Sequence, residues 1–150
     1  MQVAINLQSV PCKDEQGALN TVKSFLSGID MGNFELGAAV LADKLTADYS
    51  SLFGVEDVTH SKSGLIKKYQ KFLSHFDQVT HELSGYNIKV ENHIAHMVTQ
   101  VRATHWQGHA LWAITGTYRF TLDKVGDDFV ISHIVLDVAG ESGSRQLFND

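Results

Sequence analysis

Two short segments hold the residue types best suited to proton chemistry: Thr80-His81-Glu82 and Thr104-His105-Trp106. Histidine titrates nearest neutrality, so a histidine held in an enclosed space can take up a proton and return it without a metal. Two upstream residues complete a set. Asp30 stands at a helix end, where a carboxylate can orient an imidazole. Tyr49 lies in the hydroxyl-rich run Asp48-Tyr49-Ser50-Ser51 and can complete a pocket with the histidines. Together the four side chains suit acid–base chemistry inside a pocket. Each residue also has a plainer reading. His105 can be a core histidine satisfied by a backbone carbonyl, His81 a rim residue, Asp30 a solvated helix end, and Tyr49 core with its hydroxyl at the surface.

The elements that must position these residues follow from periodicity. Residues 1–13 mix polar and apolar types around the single proline, Pro11, and are expected to form an arm. From Asp14, the residues Ala18, Leu19, Val22, Phe25, Leu26 and Ile29 form one apolar helical stripe, with Gly32 as the stop. Asn33 is expected to cap a second helix running to Leu41. Asp48 to Phe53 reads as a short strand closed by Gly54, and Val55 to His60 as a loop. Ser61 or Ser63 opens a third helix with a stripe of Leu65, Ile66, Tyr69, Phe72, Leu73 and Phe76. Lys62, Lys67, Lys68 and Lys71 fall off that stripe and read as a solvated face.

After Asp77 the period changes to two. Val79–Val90, Ile94–Trp106, His109–Leu122 and Phe129–Val138 are four strand candidates separated by turn-like residues. A bulge is expected near Ser84-Gly85, where the apolar parity switches. On the second strand Ala95, Met97, Thr99, Val101, Ala103 and His105 share the more apolar face, so His105 should point inward. The tail from Gly140 is polar and Gly/Ser-rich. Helices followed by an antiparallel meander imply an α+β fold in one domain, with a pocket at the open end of a bent sheet.

Composition narrows the functional classes. The chain has 150 residues, a formal net charge of −5 and no cluster of basic residues, which argues against a nucleic-acid surface. The beginning of the chain lacks a basic and apolar leader, and no apolar run has membrane-spanning length. One cysteine, Cys12, allows no intrachain disulfide and makes a poor nucleophile candidate near a chain end. A cytoplasmic location is therefore expected. The chain has eight histidines, yet their spacing does not suit a metal. His93 and His96 fall on opposite faces of an extended strand, and a turn at Trp106-Gln107-Gly108 parts His105 from His109. Neither a metal nor a cofactor is expected.

At Gly28-Ile29-Asp30-Met31-Gly32-Asn33-Phe34, Asp48-Tyr49-Ser50-Ser51-Leu52, Thr80-His81-Glu82 and Arg102-Ala103-Thr104-His105, the chain resembles the scytalone dehydratase group of the SnoaL-like, NTF2-like superfamily. The four pieces occur in register between about residues 15 and 138. The resemblance implies a cystatin-like cone of helices on a strongly curved antiparallel sheet, a metal-free pocket, and association into a dimer or trimer. It implies a dehydratase acting on a small cyclic or aromatic β-hydroxy ketone, with Asp30, Tyr49, His81 and His105 as the catalytic set. Within that set Asp30 would pair with His105, His81 would be the base that removes a proton α to the carbonyl or the acid–base group near the leaving oxygen, and Tyr49 would hold the carbonyl directly or through water. Tyr69, Thr117 and Tyr118 are the expected substrate contacts. Two positions depart from the group's pattern: Ile29 stands where a second tyrosine is usual, and Gly116 and Tyr118 stand where a Ser/Asn pair is usual. An isomerase or cyclase sharing the pocket, or a non-catalytic binding module, are the alternatives. The module would have histidines that do not converge on Asp30 and a cavity filled by Phe and Trp.

Overall fold

The computed structural model describes residues 12–54 and 58–148, so most of the expected N-terminal arm lies outside the described residues. Helix α1 (Lys13–Met31) begins one residue after its cap, Cys12, whose thiol accepts from the Glu15 amide while the Glu15 carboxylate accepts from the Cys12 amide. The predicted stripe from Ala18 to Ile29 is buried. Gly32 ends the helix at φ 71°, in the left-handed region that favours glycine. Helix α2 (Phe34–Ala39) is capped by the Asn33 side chain, as expected. It packs closely on α1 because Gly28 has no side chain: a Cβ there would stand 2.8 Å from the Gly37 nitrogen. Asp30 is thereby fixed in the last turn of a helix clamped on one side by α2.

The expected continuation of α2 to Leu41 is corrected. Leu41 opens strand β1 (Leu41–Asp48), which runs parallel to the final strand. The strand expected over 48–53 is corrected as well. Ser50–Phe53 is a single helical turn, α3, and Tyr49 is the residue before it. The Asp48 carboxylate accepts from the Ser50 amide at 2.9 Å and competes with strand continuation at that point. Of the loop expected over Val55 to His60, residues 55–57 lie outside the described residues, and Thr59–Ser61 is a short strand, β2, paired antiparallel to β1. Ser61 caps helix α4 (Lys62–Leu73) through the Gly64 amide.

Strands β3 (Gln78–Glu91), β4 (Ile94–Gln107), β5 (Ala110–Val125) and β6 (Asp128–Gly143) form the antiparallel meander. The register of β3 against β4 shifts between Ser84 and Asn87, where the bulge was expected. β6 runs three residues beyond Gly140, into the expected tail, because those residues pair with β5 as far as Trp112↔Gly143. A 3-10 helix over Arg145–Leu147 follows. All six strands form one sheet in the order β2-β1-β6-β5-β4-β3. The helices pack on its inner face, and the core fills the space between. This is the α+β, cystatin-like cone. No helix among the described residues is long and apolar enough to cross a membrane.

Candidate active site

The alternating pattern of β4 sets the site. Ala95, Met97, Thr99, Val101, Ala103 and His105 are all buried on the inner face. In the β3–β4 register His105 lies opposite Val79 and Ala103 opposite His81. His81 and His105 are therefore diagonal neighbours on one face, with ring centroids 6.5 Å apart.

Their partners differ. The Asp30 carboxylate reaches back from the end of α1 and accepts twice from His81: Oδ2 from the backbone N–H at 2.8 Å and Oδ1 from Nδ1–H at 2.5 Å. Committing Nδ1 to the carboxylate makes Nε2 the basic nitrogen of that ring. His105 instead donates Nδ1–H to the Trp112 carbonyl at 3.1 Å. Burial is the main influence on its acidity. The Trp112 hydrogen bond opposes burial only partly, and nearby His81 adds to it, so the pKa falls to about 4. His105 is a neutral imidazole at pH 7, with Nε2 as an acceptor. The expected Asp30–His105 pair is thus corrected to Asp30–His81. The reason is geometric: α1 lies chiefly over β3, which carries His81, and His105 sits one strand further in. The plainer reading of His105, a core histidine satisfied by a carbonyl, describes its bonding.

Trp112 is itself fixed. Its indole N–H donates to Glu141 at 2.6 Å, and Arg145 donates to the same carboxylate and to the Leu52 carbonyl. The end of β6 and the residues after it thereby hold the strand whose carbonyl orients His105.

Three tyrosines supply hydroxyls. Tyr49 shares hydrogen bonds with Tyr69 of α4 at 2.5 Å and with Tyr118 of β5 at 3.0 Å. Burial pushes the phenols of Tyr69 and Tyr118 well above their ordinary range, so both stay protonated. Ile29 lines the same cavity without a hydroxyl, and two further tyrosine hydroxyls reach it from α4 and β5. Thr117 does not join them. The parity of β5 puts Tyr118 inside and Thr117 outside, where its hydroxyl accepts from Gln100 at 3.5 Å. That expected contact is corrected.

These groups border a cavity of about 400 Å³ whose apolar wall includes Ile29, Leu65, Phe72, Ala103, Ile114 and Leu136. His81, His105, Tyr49, Tyr69 and Tyr118 all line it. Of the two features a binding module would have, neither holds in full: the cavity is open, and one of the two histidines reaches Asp30. The dyad also borders a second recess of about 350 Å³, with Lys23, Ser27 and Tyr86 on its wall. Two further residues line the main cavity that the sequence reading passed over, Lys68 and His60. Lys68 was placed on a solvated face. The signal for it was present in the spacing, since it lies three residues after Leu65 and four before Phe72, both lining residues. Among the described residues no group of three His, Cys, Asp or Glu is arranged to hold a metal.

A model of the SnoaL-like domain matches residues 12–135. No curated protein sequence is a significant match. Among solved structures, the Kfla4162 protein of Kribbella flavida is similar at TM-score 0.84 and 21% identity, over 91% of this chain and 97% of that one. A proposed scytalone dehydratase from Novosphingobium aromaticivorans aligns at TM-score 0.77 and 17% identity, over 88% of each chain. A hexachlorocyclohexane dehydrochlorinase, LinA-type3, from Novosphingobium barchaimii aligns at TM-score 0.74 and 10% identity, over 88% of this chain and 90% of that one. At these identities the structural likenesses establish a shared fold.

Proposed function

The chain belongs to the SnoaL-like domain family, and from that premise we propose that it is a cofactor-independent lyase eliminating water from a small cyclic or aromatic β-hydroxy ketone. The observation that carries the reading is the Asp30–His81 dyad on the wall of an apolar cavity that also holds tyrosine hydroxyls. His81 Nε2 removes the proton α to the ketone, and the Asp30 carboxylate offsets the charge of the resulting imidazolium. The C–H electron pair moves into the carbonyl and forms an enolate. Tyr49, with Tyr69 and Tyr118 behind it, donates to that oxygen. The enolate collapses, the β C–O bond breaks, and His81 returns its proton to the departing hydroxide, so that water leaves and a C=C bond remains. His105, neutral and accepting through Nε2, orients the leaving hydroxyl. Two of the structural neighbours are named for eliminations, of water and of hydrogen chloride, which supports the same reaction type.

An isomerase or cyclase would use the same first proton transfer and differ in where the proton returns. The test is direct: incubate the protein with 3-hydroxy-1-tetralone and related ring hydroxy ketones and follow the ultraviolet absorbance of the eliminated product. Elimination by the wild type that His81→Gln lacks supports the lyase. Turnover that His81→Gln retains in full removes the assignment.

A further inference from the structure

The main cavity is rich in donors and poor in acceptors of the charged kind. Lys68 and His60 line it, with His81, His105 and three tyrosine hydroxyls, and no Asp or Glu among the described residues does. Lys68 lies on the α4 face that carries Leu65 and Phe72 into the cavity wall, and it both lines the cavity and is exposed to solvent. Among the described residues it has no carboxylate partner within ion-pair distance, whereas its helix neighbour Lys62 pairs with Asp43 at 3.4 Å. His60 is held on the edge strand β2 by its register opposite Leu45. An ammonium and an imidazole lining an apolar cavity, with no carboxylate among the described residues lining it beside them, suit an anionic oxygen on the ligand.

We infer that the ligand is a ring compound carrying an anionic oxygen, as a carboxylate or an ionised phenol, held by Lys68 with His60 at the mouth of the cavity while its ring lies among Leu65, Phe72 and Trp112. The inference deepens the lyase reading by naming the substrate's charge. It also places a specificity contact at Lys68, away from the proton chemistry at His81. The apolar walls supply ring affinity without regard to charge, and Lys68 selects among rings of similar size.

The experiment compares two nearly isosteric probes, 1-naphthoate and 1-naphthamide, by calorimetry on the wild type, Lys68→Gln and His60→Gln. The wild type should bind naphthoate about fivefold more tightly than naphthamide, the size of one ion pair at a solvent-facing site. Lys68→Gln should erase that preference and leave naphthamide binding and the thermal melt unchanged. His60→Gln should reduce it about twofold, and 1 M salt should reduce it in the wild type. Equal wild-type affinity for the two probes, a preference that survives in Lys68→Gln, or failure of both probes to bind at millimolar concentration would overturn the inference. Because the readout is binding, its failure is distinct from failure of the lyase reading: a naphthoate preference without any elimination keeps the charge selection and removes the reaction, and elimination without the preference does the reverse.

Discussion

His81 and His105 are the same side chain on the same face of the same sheet, 6.5 Å apart, and the structure gives them opposite properties. His81 faces a carboxylate and borders two cavities. Its Nδ1–H is held by that carboxylate, and its ring lines the main cavity. His105 faces a carbonyl, is 5% exposed and sits between Phe76 and Trp112. A proton taken up there meets a dipole in place of a charge, and a hydrophobic wall. The partner, more than the residue type or an exposure that differs little (8% for the His81 side chain), decides which histidine can act as a base. The lesson reaches the resemblance as well. It implied an Asp30–His105 pair, and the packing of α1 over β3 gives the aspartate to His81 instead.

The largest effect that would break this contrast is on His81. His81→Gln should lower kcat by about 10³–10⁴ in the elimination assay with the fold intact by circular dichroism; a loss no larger than that of His105→Asn would erase the distinction. Asp30→Asn should cost about 10² in kcat, because an amide donor at that place turns His81 Nδ1 into the acceptor and moves the proton onto Nε2. That order reverses what an Asp30–His105 pair would give, where loss of the aspartate would act through His105. Tyr49→Phe should cost about tenfold, since Tyr69 and Tyr118 keep donors in the cavity, with the loss in kcat more than in KM.

The smallest effect on activity at neutral pH belongs to His105, and its signature is stability. Its folded pKa of about 4 lies below the ordinary histidine value of 6.5. Between these values the unfolded chain binds a proton that the folded chain does not, so stability is fully present above about pH 6.5 and falls as pH drops toward 4. At about 1.4 kcal/mol per pH unit, the loss amounts to about 3 kcal/mol. His105→Asn keeps a donor for the Trp112 carbonyl and has no proton to bind. Thermal melts across that pH range should therefore be flatter for the variant than for the wild type. Parallel curves would show that His105 is not held neutral by burial.

Much of this was legible in the chain, for reasons tied to particular residues. The meander showed because β4 and β5 bury one face, so Ala95 to Ala103 alternate cleanly, and because Asn92-His93, Gly108 and Gly126 adopt the positive φ that tight turns require. The stripes of α1 and α4 showed for the same reason at helical period. β1 did not show: its pairing with β6 is parallel and joins residues almost ninety positions apart in sequence, such as Asp48 with Val135, and local alternation carries no trace of that. Tyr49 was taken for a strand residue because hydroxyl-rich runs suit both strands and turns, and the Asp48–Ser50 hydrogen bond decides between them. Thr117 failed by parity alone, since Tyr118 already claims the inner face of β5. The Asp30–His81 contact spans 51 residues and depends on how α1 crosses the sheet, which no spacing rule encodes.

The most direct test of the account is α-proton exchange of 2-tetralone in deuterium oxide, followed by proton NMR with the wild type, His81→Gln and His105→Asn side by side. It isolates proton abstraction from everything that follows. The account predicts that the wild type accelerates loss of the α-proton signal, that His105→Asn stays within a few-fold of it, and that His81→Gln is no faster than buffer. No acceleration by the wild type, or exchange that His81→Gln sustains while His105→Asn abolishes it, would contradict the assignment of the base to the Asp30–His81 dyad.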